Sequence, residues 1–389
     1  MAKIVVLGGY GQMGRVISTD LSKTFNGEIT IAGRAAAKKA KALLPTLNSK
    51  RIKLAFADSA DRDSMDRVLD GADVLVNATN YYSNLEVMEH CLRNSVSYLD
   101  LGGLYHTTLK QLKLDSRFRK KKVLALLGCG STPGITNVMA AHGARDFELI
   151  DSVHIQFADK DYTDYHMPFV VPYSMYTVRD EFSKKPAVLS NGKIKFVEPF
   201  SGSTAIPFPQ PVGKVECFYT LHSELATLPG RFRSKGIKEC SFRGGFDSGF
   251  VSQVRFLINS GLMDGSPVKL FHGERVRPID VTVRMLNRFI PGNEVKINDV
   301  EFLRVEITGK RKGKRRKVVM LCKSKTEKRH NIPAGSWDTG VPPSIIAQMI
   351  VNKEIDSIGV KPLDDPCINS ELFFRKLKLR NMTISEVLS

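Results

Sequence analysis

The chain has 389 residues, 42% of them hydrophobic and 25% charged, with a formal net charge of +18. That length exceeds one typical core, so two domains are expected, and the composition is that of an ordinary globular protein. No apolar run is long enough to cross a bilayer, and six scattered cysteines without a C-x-x-C pair exclude a disulfide framework or a structural zinc and fit a reducing cytosol.

The first element, "KIVVLG", is a short β-branched run expected to form a buried parallel strand. Because the chain enters a strand pattern at once, no signal peptide is expected. "QMGRVISTDLSK" then has helical spacing, with Met13, Val16, Ile17 and Leu21 on one face. Between them lie Gly8, Gly9, Tyr10, Gly11, Gln12, Met13 and Gly14, which fit G-x-G-x-x-G read from Gly9 or G-x-x-G-x-x-G read from Gly8. Either spacing lets the backbone turn tightly against a pyrophosphate whose charge meets the helix N-terminus.

The second strand, "EITIAGR", ends at the place where an NAD site would carry a carboxylate for the ribose 2′-hydroxyl. Gly33 and Arg34 stand there instead, with Lys38 and Lys39 following. A guanidinium suits a 2′-phosphate, so the expected cofactor is NADP(H), with NAD less favoured. Four further strands follow in alternation with helices. "IKLAFAD" ends near Asp58 and Ser59, and "ADVLVNAT" ends at Ala78, Thr79 and Asn80. "SYLDLGG" ends in Asp100, Gly102 and Gly103, and "KVLALLGCG" ends near Cys129. Ligands of open parallel sheets bind outside the carboxyl ends of the strands, so cofactor and substrate should meet there. The fold expected is α/β, a Rossmann-type doubly wound parallel sheet. Farther on, "FLRVEIT" and "VVMLCKS" alternate like two strands around the basic run 310–317, which reads as an exposed hairpin tip.

"VNATNYYSNLEVMEHCLRNSVSYLDLGG", "LGCGSTPGITNVMAAHGA" and "TGVPPSIIAQMI" resemble the saccharopine dehydrogenase (glutamate-forming) family, which also holds lysine 6-dehydrogenases and carboxynorspermidine dehydrogenases. "VECFYTLHSELATLP", "IKECSFRGG" and "GERVRPIDVTVRML" are similar to the second domain of its short members. The resemblance implies a second α/β domain with an open sheet, inserted after the sixth strand and mediating a homodimer. The expected boundaries are 1–134 for the cofactor domain, 135–330 for the inserted domain and 331–389 for a return segment packing on the first. It also implies reversible hydride transfer between a nicotinamide and an amine-bearing carbon, on saccharopine, lysine or a carboxylated polyamine, in the cytoplasm.

Amine oxidation needs a base, because an ammonium must lose a proton before it releases hydride. Asp100 is the first candidate, and His222 with Glu224 in "YTLHSEL" the second. Arg243 in "SFRGG" aligns with a family arginine that reaches the substrate carboxylate, with Tyr219 and Thr220 on the same wall. Cys129 lies beside the expected nicotinamide position, and Pro133 and Gly134 shape the turn beneath it. Tyr165, His166, Tyr173 and Tyr176 are candidates to line a pocket. Two other readings compete: a non-catalytic NADPH sensor, and a nucleic-acid binder using Arg311 to Lys317, which predicts steeply salt-dependent binding. No metal and no membrane contact are expected.

Overall fold

The computed structural model describes residues 1–39, 47, 51–292 and 294–389. The first half alternates strand and helix: β1 (Lys3–Leu7), α1 (Gln12–Thr24), β2 (Glu28–Ala32), α2 (Ala36–Lys39), β3 (Ile52–Ala55), α3 (Arg62–Leu69), β4 (Val74–Asn77), α4 (Asn84–Asn94), β5 (Ser97–Asp100), α5 (Leu104–Leu112), α6 (Asp115–Lys121) and β6 (Leu124–Leu127). Helix α7 (Ile135–Gly143) leads to β7 (Leu149–Asp161), α8 (Met175–Ser183), β8 (Ala187–Ser190), β9 (Lys193–Phe196), β10 (Thr204–Pro207), β11 (Lys214–Tyr219), α9 (Leu228–Arg231) and β12 (Glu239–Gly245). Then come α10 (Ser248–Asn259), the short pair β13 (Val268–Lys269) and β14 (Arg275–Val276), α11 (Pro278–Leu286), and the long hairpin β15 (Asp299–Arg311) and β16 (Lys314–Lys325). The chain ends in α12 (Ala334–Val351), β17 (Gly359–Pro362), α13 (Ser370–Lys378) and β18 (Thr383–Leu388).

The first sheet has the order β17-β6-β5-β4-β1-β2-β3, with all its pairings parallel. Its central strands bury both faces, which is why they read as continuous apolar runs. The order reverses between β1 and β4, opening a crevice at their carboxyl ends. The second sheet runs β10-β11-β12-β7-β15-β16-β18, with β8 and β9 added beside β12. Only β12 and β7 are parallel within it. The basic run sits at the β15–β16 turn, where Lys312 and Gly313 have positive φ and the flanking cations are largely exposed.

Helix α12 is apolar around almost its whole circumference, as befits a helix buried on all sides. It lies between the sheets, against α1 and β4 on one side and β15 and β16 on the other. One hydrophobic cluster therefore runs unbroken from Ile4 and Val6 through Ile345 and Ile346 to Ile155 and Val305. Arg380 seals the return with a buried ion pair to Asp20 of α1 at 3.1 Å, and Ser344 donates to the same carboxylate at 2.6 Å. Strand β17 extends the first sheet, whereas the last strand, β18, pairs with β16 and belongs to the second sheet. All six cysteines are free.

Candidate functional site

The glycine turn fits a dinucleotide. A Cβ on Gly14 would stand 2.1 Å from the carbonyl oxygen of Gly8, so only glycine lets α1 start this close to the turn. Gly11 caps α1 with no side-chain bond and no acid follows in the first turn, leaving the helix N-terminus free to meet phosphate. At the end of β2, Gly33 has φ +152, and a Cβ there would come within 2.7 Å of the Tyr10 hydroxyl. Tyr10 accepts a hydrogen bond from the Ala35 amide at 3.0 Å, so its ring lies over the spot where a carboxylate would stand in an NAD site. Arg34 is exposed beside it, as is Lys38; the Lys39 side chain lies outside the described residues. Gly8 also approaches the end of β4, where Ala78 and Thr79 crowd its missing side chain. Asp58 and Ser59 are half-buried beyond the edge strand β3, and Asp58 accepts from the Ala60 amide at 3.2 Å.

The second domain closes over this crevice. Gln12 donates to the Pro172 carbonyl at 2.6 Å, and Asn80 to Ser174 Oγ at 3.2 Å. The hydroxyls of Tyr81 and Tyr82 both donate to Asp180 of α8, which Lys184 also pairs at 3.1 Å.

Asp100 stands deep behind the crevice wall and is 1% exposed. Its Oδ1 accepts from the amides of Gly102 and Gly128, at 2.9 and 2.8 Å. Its Oδ2 accepts from Asn84, Tyr98 and Gln111, at 3.1, 3.0 and 2.5 Å. Five donors fill this carboxylate, so it holds the loops after β5 and β6 in place and has no face for a substrate. That corrects its expectation as the base. Cys129 is likewise sealed: it is 0% exposed, its Sγ turns to the Leu126 carbonyl at 3.5 Å, and burial pushes the thiol up. It packs and does not line a substrate pocket.

Pro133 covers the turn between those loops, where a side chain on Gly102 would meet its ring at 3.0 Å and Ser223 Oγ at 3.5 Å. Gly103 caps α5, and Gly134 donates its amide to Asn137 at 3.1 Å. The chain from β11 arrives opposite this wall. Thr220 and Ser223 are both buried, with hydroxyl oxygens that have no partner among the described residues. Between them His222 stacks on Phe242, ring centroids 3.7 Å apart. Its Nδ1 lies 2.7 Å from Glu224 Oε2, and Glu224 Oε1 accepts from Thr136 at 3.1 Å. Its Nε2 lies 3.8 Å from Glu181 Oε1, and Tyr173 donates to the other Glu181 oxygen at 2.5 Å. Burial pulls the imidazole down, but Glu224 and then Glu181 outweigh it, and its pKa is raised. Glu181, held up chiefly by burial, rises to about 7. Sequence pattern does not single out Glu181, because α8 begins inside a segment with no clear period.

Arg243 and Tyr219 are on the other side of the sheet. The register pairs Arg243 with Gln156 and Tyr219, so these share one face, while Phe242 and His222 belong to the opposite face. Arg243 stacks on Tyr219, donates to its hydroxyl and to the Gly202 carbonyl at 3.0 Å, and joins a polar row with Ser241. The expectation that Arg243 and Tyr219 clamp a substrate carboxylate is overturned by strand alternation. Of the four aromatic candidates, Tyr173 alone reaches the His222 group; Tyr165 bonds Asp161, Tyr176 bonds Asp280, and His166 is exposed.

Comparison with known proteins follows the same division. Residues 4–126 match the saccharopine dehydrogenase NADP binding domain, and residues 130–380 match the saccharopine dehydrogenase C-terminal domain. A carboxynorspermidine synthase of Vibrio cholerae is 25% identical over 380 residues, 90% of this chain and 89% of that one. A carboxyaminopropylagmatine dehydrogenase of Synechocystis sp. is 24% identical over 290 residues, 72% of this chain and 71% of its own. The apo saccharopine dehydrogenase (L-Glu forming) of Saccharomyces cerevisiae superposes over 100% of both chains with a TM-score of 0.77 at 15% identity, which shows a shared fold. The chain belongs to the saccharopine dehydrogenase family and is an NAD(P)-dependent oxidoreductase acting on CH–NH donors.

Proposed function

We propose that this enzyme uses NADPH to reduce the imine of an amine and a carboxylate-bearing carbonyl compound, giving a secondary amine, and that the reaction is reversible. The observation that carries this reading is the buried His222–Glu224 pair, with Glu181 on its far side, flanking Ser223, whose hydroxyl lies at the turn of Gly102 and Pro133. When bound, the nicotinamide supplies or takes up hydride at its C4. The free N-terminus of α1 binds the pyrophosphate, and Arg34 meets the 2′-phosphate. His222, kept protonated by Glu224 and Glu181, holds the proton that an imine nitrogen needs before it accepts hydride. In the other direction the neutral imidazole takes the proton that the ammonium must lose. Glu181, with its carboxyl near neutrality, passes that proton toward Tyr173 and the cleft. The unpartnered hydroxyls of Thr220 and Ser223 orient the reacting groups.

The relatives named for carboxynorspermidine and carboxyaminopropylagmatine favour a carboxylated amine of that kind as the product. Saccharopine is the second reading, supported by the family as a whole. A homodimer and a cytoplasmic location belong to the same proposal. Absorbance of the reduced nicotinamide tests it, using NADP(H) and NAD(H) with saccharopine, lysine, and aliphatic diamines paired with a carboxylated aldehyde. Turnover with NADP(H) supports it. Turnover with NAD(H) alone overturns the role of Arg34, and silence across the panel favours a sensor.

A further inference from the structure

Helix α8 touches both halves of the site. At its start Ser174, the N-cap, accepts on Oγ from Asn80 of the cofactor domain at 3.2 Å. Asn80 follows the end of β4 and caps the single turn Tyr81–Ser83, its Oδ1 accepting from the Tyr82 amide at 3.1 Å. Farther along α8 the hydroxyls of Tyr81 and Tyr82 both donate to Oδ2 of Asp180, and Arg179 donates to the Tyr82 hydroxyl at 3.3 Å. Asp180 is 0% exposed, so its charge depends on these partners, and two of them come from the other domain. The next residue is Glu181, whose Oε1 lies 3.8 Å from His222 Nε2 and whose carbonyl accepts from the Leu221 amide at 3.2 Å. Successive side chains on a helix diverge by about 100°. Helix α8 therefore presents Asp180 to the cofactor domain and Glu181 to the His222 group.

The two domains are joined in two different ways. Through α12 they share one apolar cluster, which water would enter if the domains parted there. Around α8 no cofactor-domain residue enters the apolar cluster of Val178 and Phe182, and the join consists of polar bonds. These are Gln12 to the Pro172 carbonyl, Asn80 to Ser174, and the tyrosine pair with Arg179 and Asp180. Each such bond contributes only about 1 kcal/mol net, because water replaces it when it opens. The α12 side is thus the fixed side, and α8 is the side that engages and releases. The cofactor seat uses the same segment, since Gly8 stands against Ala78 and Thr79 immediately before Asn80.

We infer that Tyr81, Tyr82 and Asp180 form a latch between the domains that sets Glu181 against His222, and that these three are positioning residues for the proton step. The inference rests on the reading of His222 as the proton carrier and names what holds its partner in register. The charged groups that act on His222 are Glu224, from its own segment, and Glu181, from α8. Glu224 is tied to Thr136 of α7 and stays when α8 shifts, whereas Glu181 moves with the helix.

Titration of the histidine rings by NMR in the ligand-free full chain tests it, with His222 identified by the signal missing from His222→Gln. The double variant Tyr81→Phe, Tyr82→Phe keeps both rings, changes no charge and removes only the hydroxyls. It should lower the His222 midpoint by about 0.5 pH units or more and speed hydrogen exchange at the α8 amides. With NADPH and substrate it should lower kcat at least about tenfold, while KM for NADPH changes little. Tyr82→Phe alone, which leaves Tyr81 on Asp180, should fall between wild type and the double variant. A His222 midpoint that stays in place in the double variant overturns the latch, whether or not α8 exchanges faster. If the midpoint falls but no amine and aldehyde pair consumes NADPH, the latch stands and the imine-reductase reading falls. Turnover of such a pair with kcat unchanged in the double variant leaves the reading and overturns the latch.

Discussion

Nδ1 of His222 lies 2.7 Å from Glu224 Oε2, and both are buried on either side of Ser223, whose hydroxyl lies at the turn of Gly102 and Pro133. Glu224 fixes which ring nitrogen faces it and holds the ring charged against the pull of burial. Glu224→Gln should therefore lower kcat for imine reduction by about 10²-fold or more. It should also move the fall of activity with rising pH to lower pH, because the raised His222 pKa loses its main support. A pH profile of unchanged position would refute the role given to this pair.

Arg34 is exposed at the end of β2, and Tyr10 covers Gly33 beside it. Arg34→Ala should raise KM for NADPH by roughly tenfold to a hundredfold, about 1.4–2.8 kcal/mol, and leave KM for NADH nearly unchanged. Steady-state kinetics with both cofactors check this. An equal rise for both would mean that the guanidinium does not read the 2′-phosphate.

Arg243 stacks on Tyr219 on the sheet face away from His222. Arg243→Ala should therefore change KM for the carboxylated substrate by less than about threefold, below 1 kcal/mol. A loss of substrate affinity by two orders of magnitude would return this arginine to the cleft.

Much of the first domain was legible because its elements are local. The strands of the cofactor domain are short, mostly apolar runs, and the glycine turn falls between a strand and a helix. The errors arise where distant segments meet. Period-two alternation groups Arg243 with Tyr219 but does not say which face looks onto the cleft; that follows from how α7 and α12 pack. Asp100 sits at the right strand end for a base, but its five donors come from separate loops and helices. A carboxylate row is further from view, since Asp159, Glu301 and Asp338 are brought together only by the β7–β15 register and by the return of α12.

The raised carboxyls also set a stability trend. Glu301 at about 8 and Glu181 at about 7 both bind protons in the folded state that the unfolded chain has already released. Folded pKa values above the unfolded ones give stability that is complete below about pH 4 for these groups and is lost as pH rises through their folded values. Within the range where the rest of the protein is intact, Tm of the ligand-free enzyme should fall from pH 6 to about pH 8.5. Glu301→Gln should flatten that slope. A Tm that climbs across the same range would contradict the burial of uncompensated carboxylates here.

The most direct test of the account is the destination of the hydride. The enzyme, supplied with NADPH carrying deuterium on the transferred position of C4, an aliphatic diamine and a carboxylated aldehyde, should yield a secondary amine with one deuterium on the carbon bonded to nitrogen. Mass spectrometry reads this directly. A product without the label, or label lost to solvent with no new carbon–nitrogen bond, would contradict hydride transfer at a C–N bond in this site.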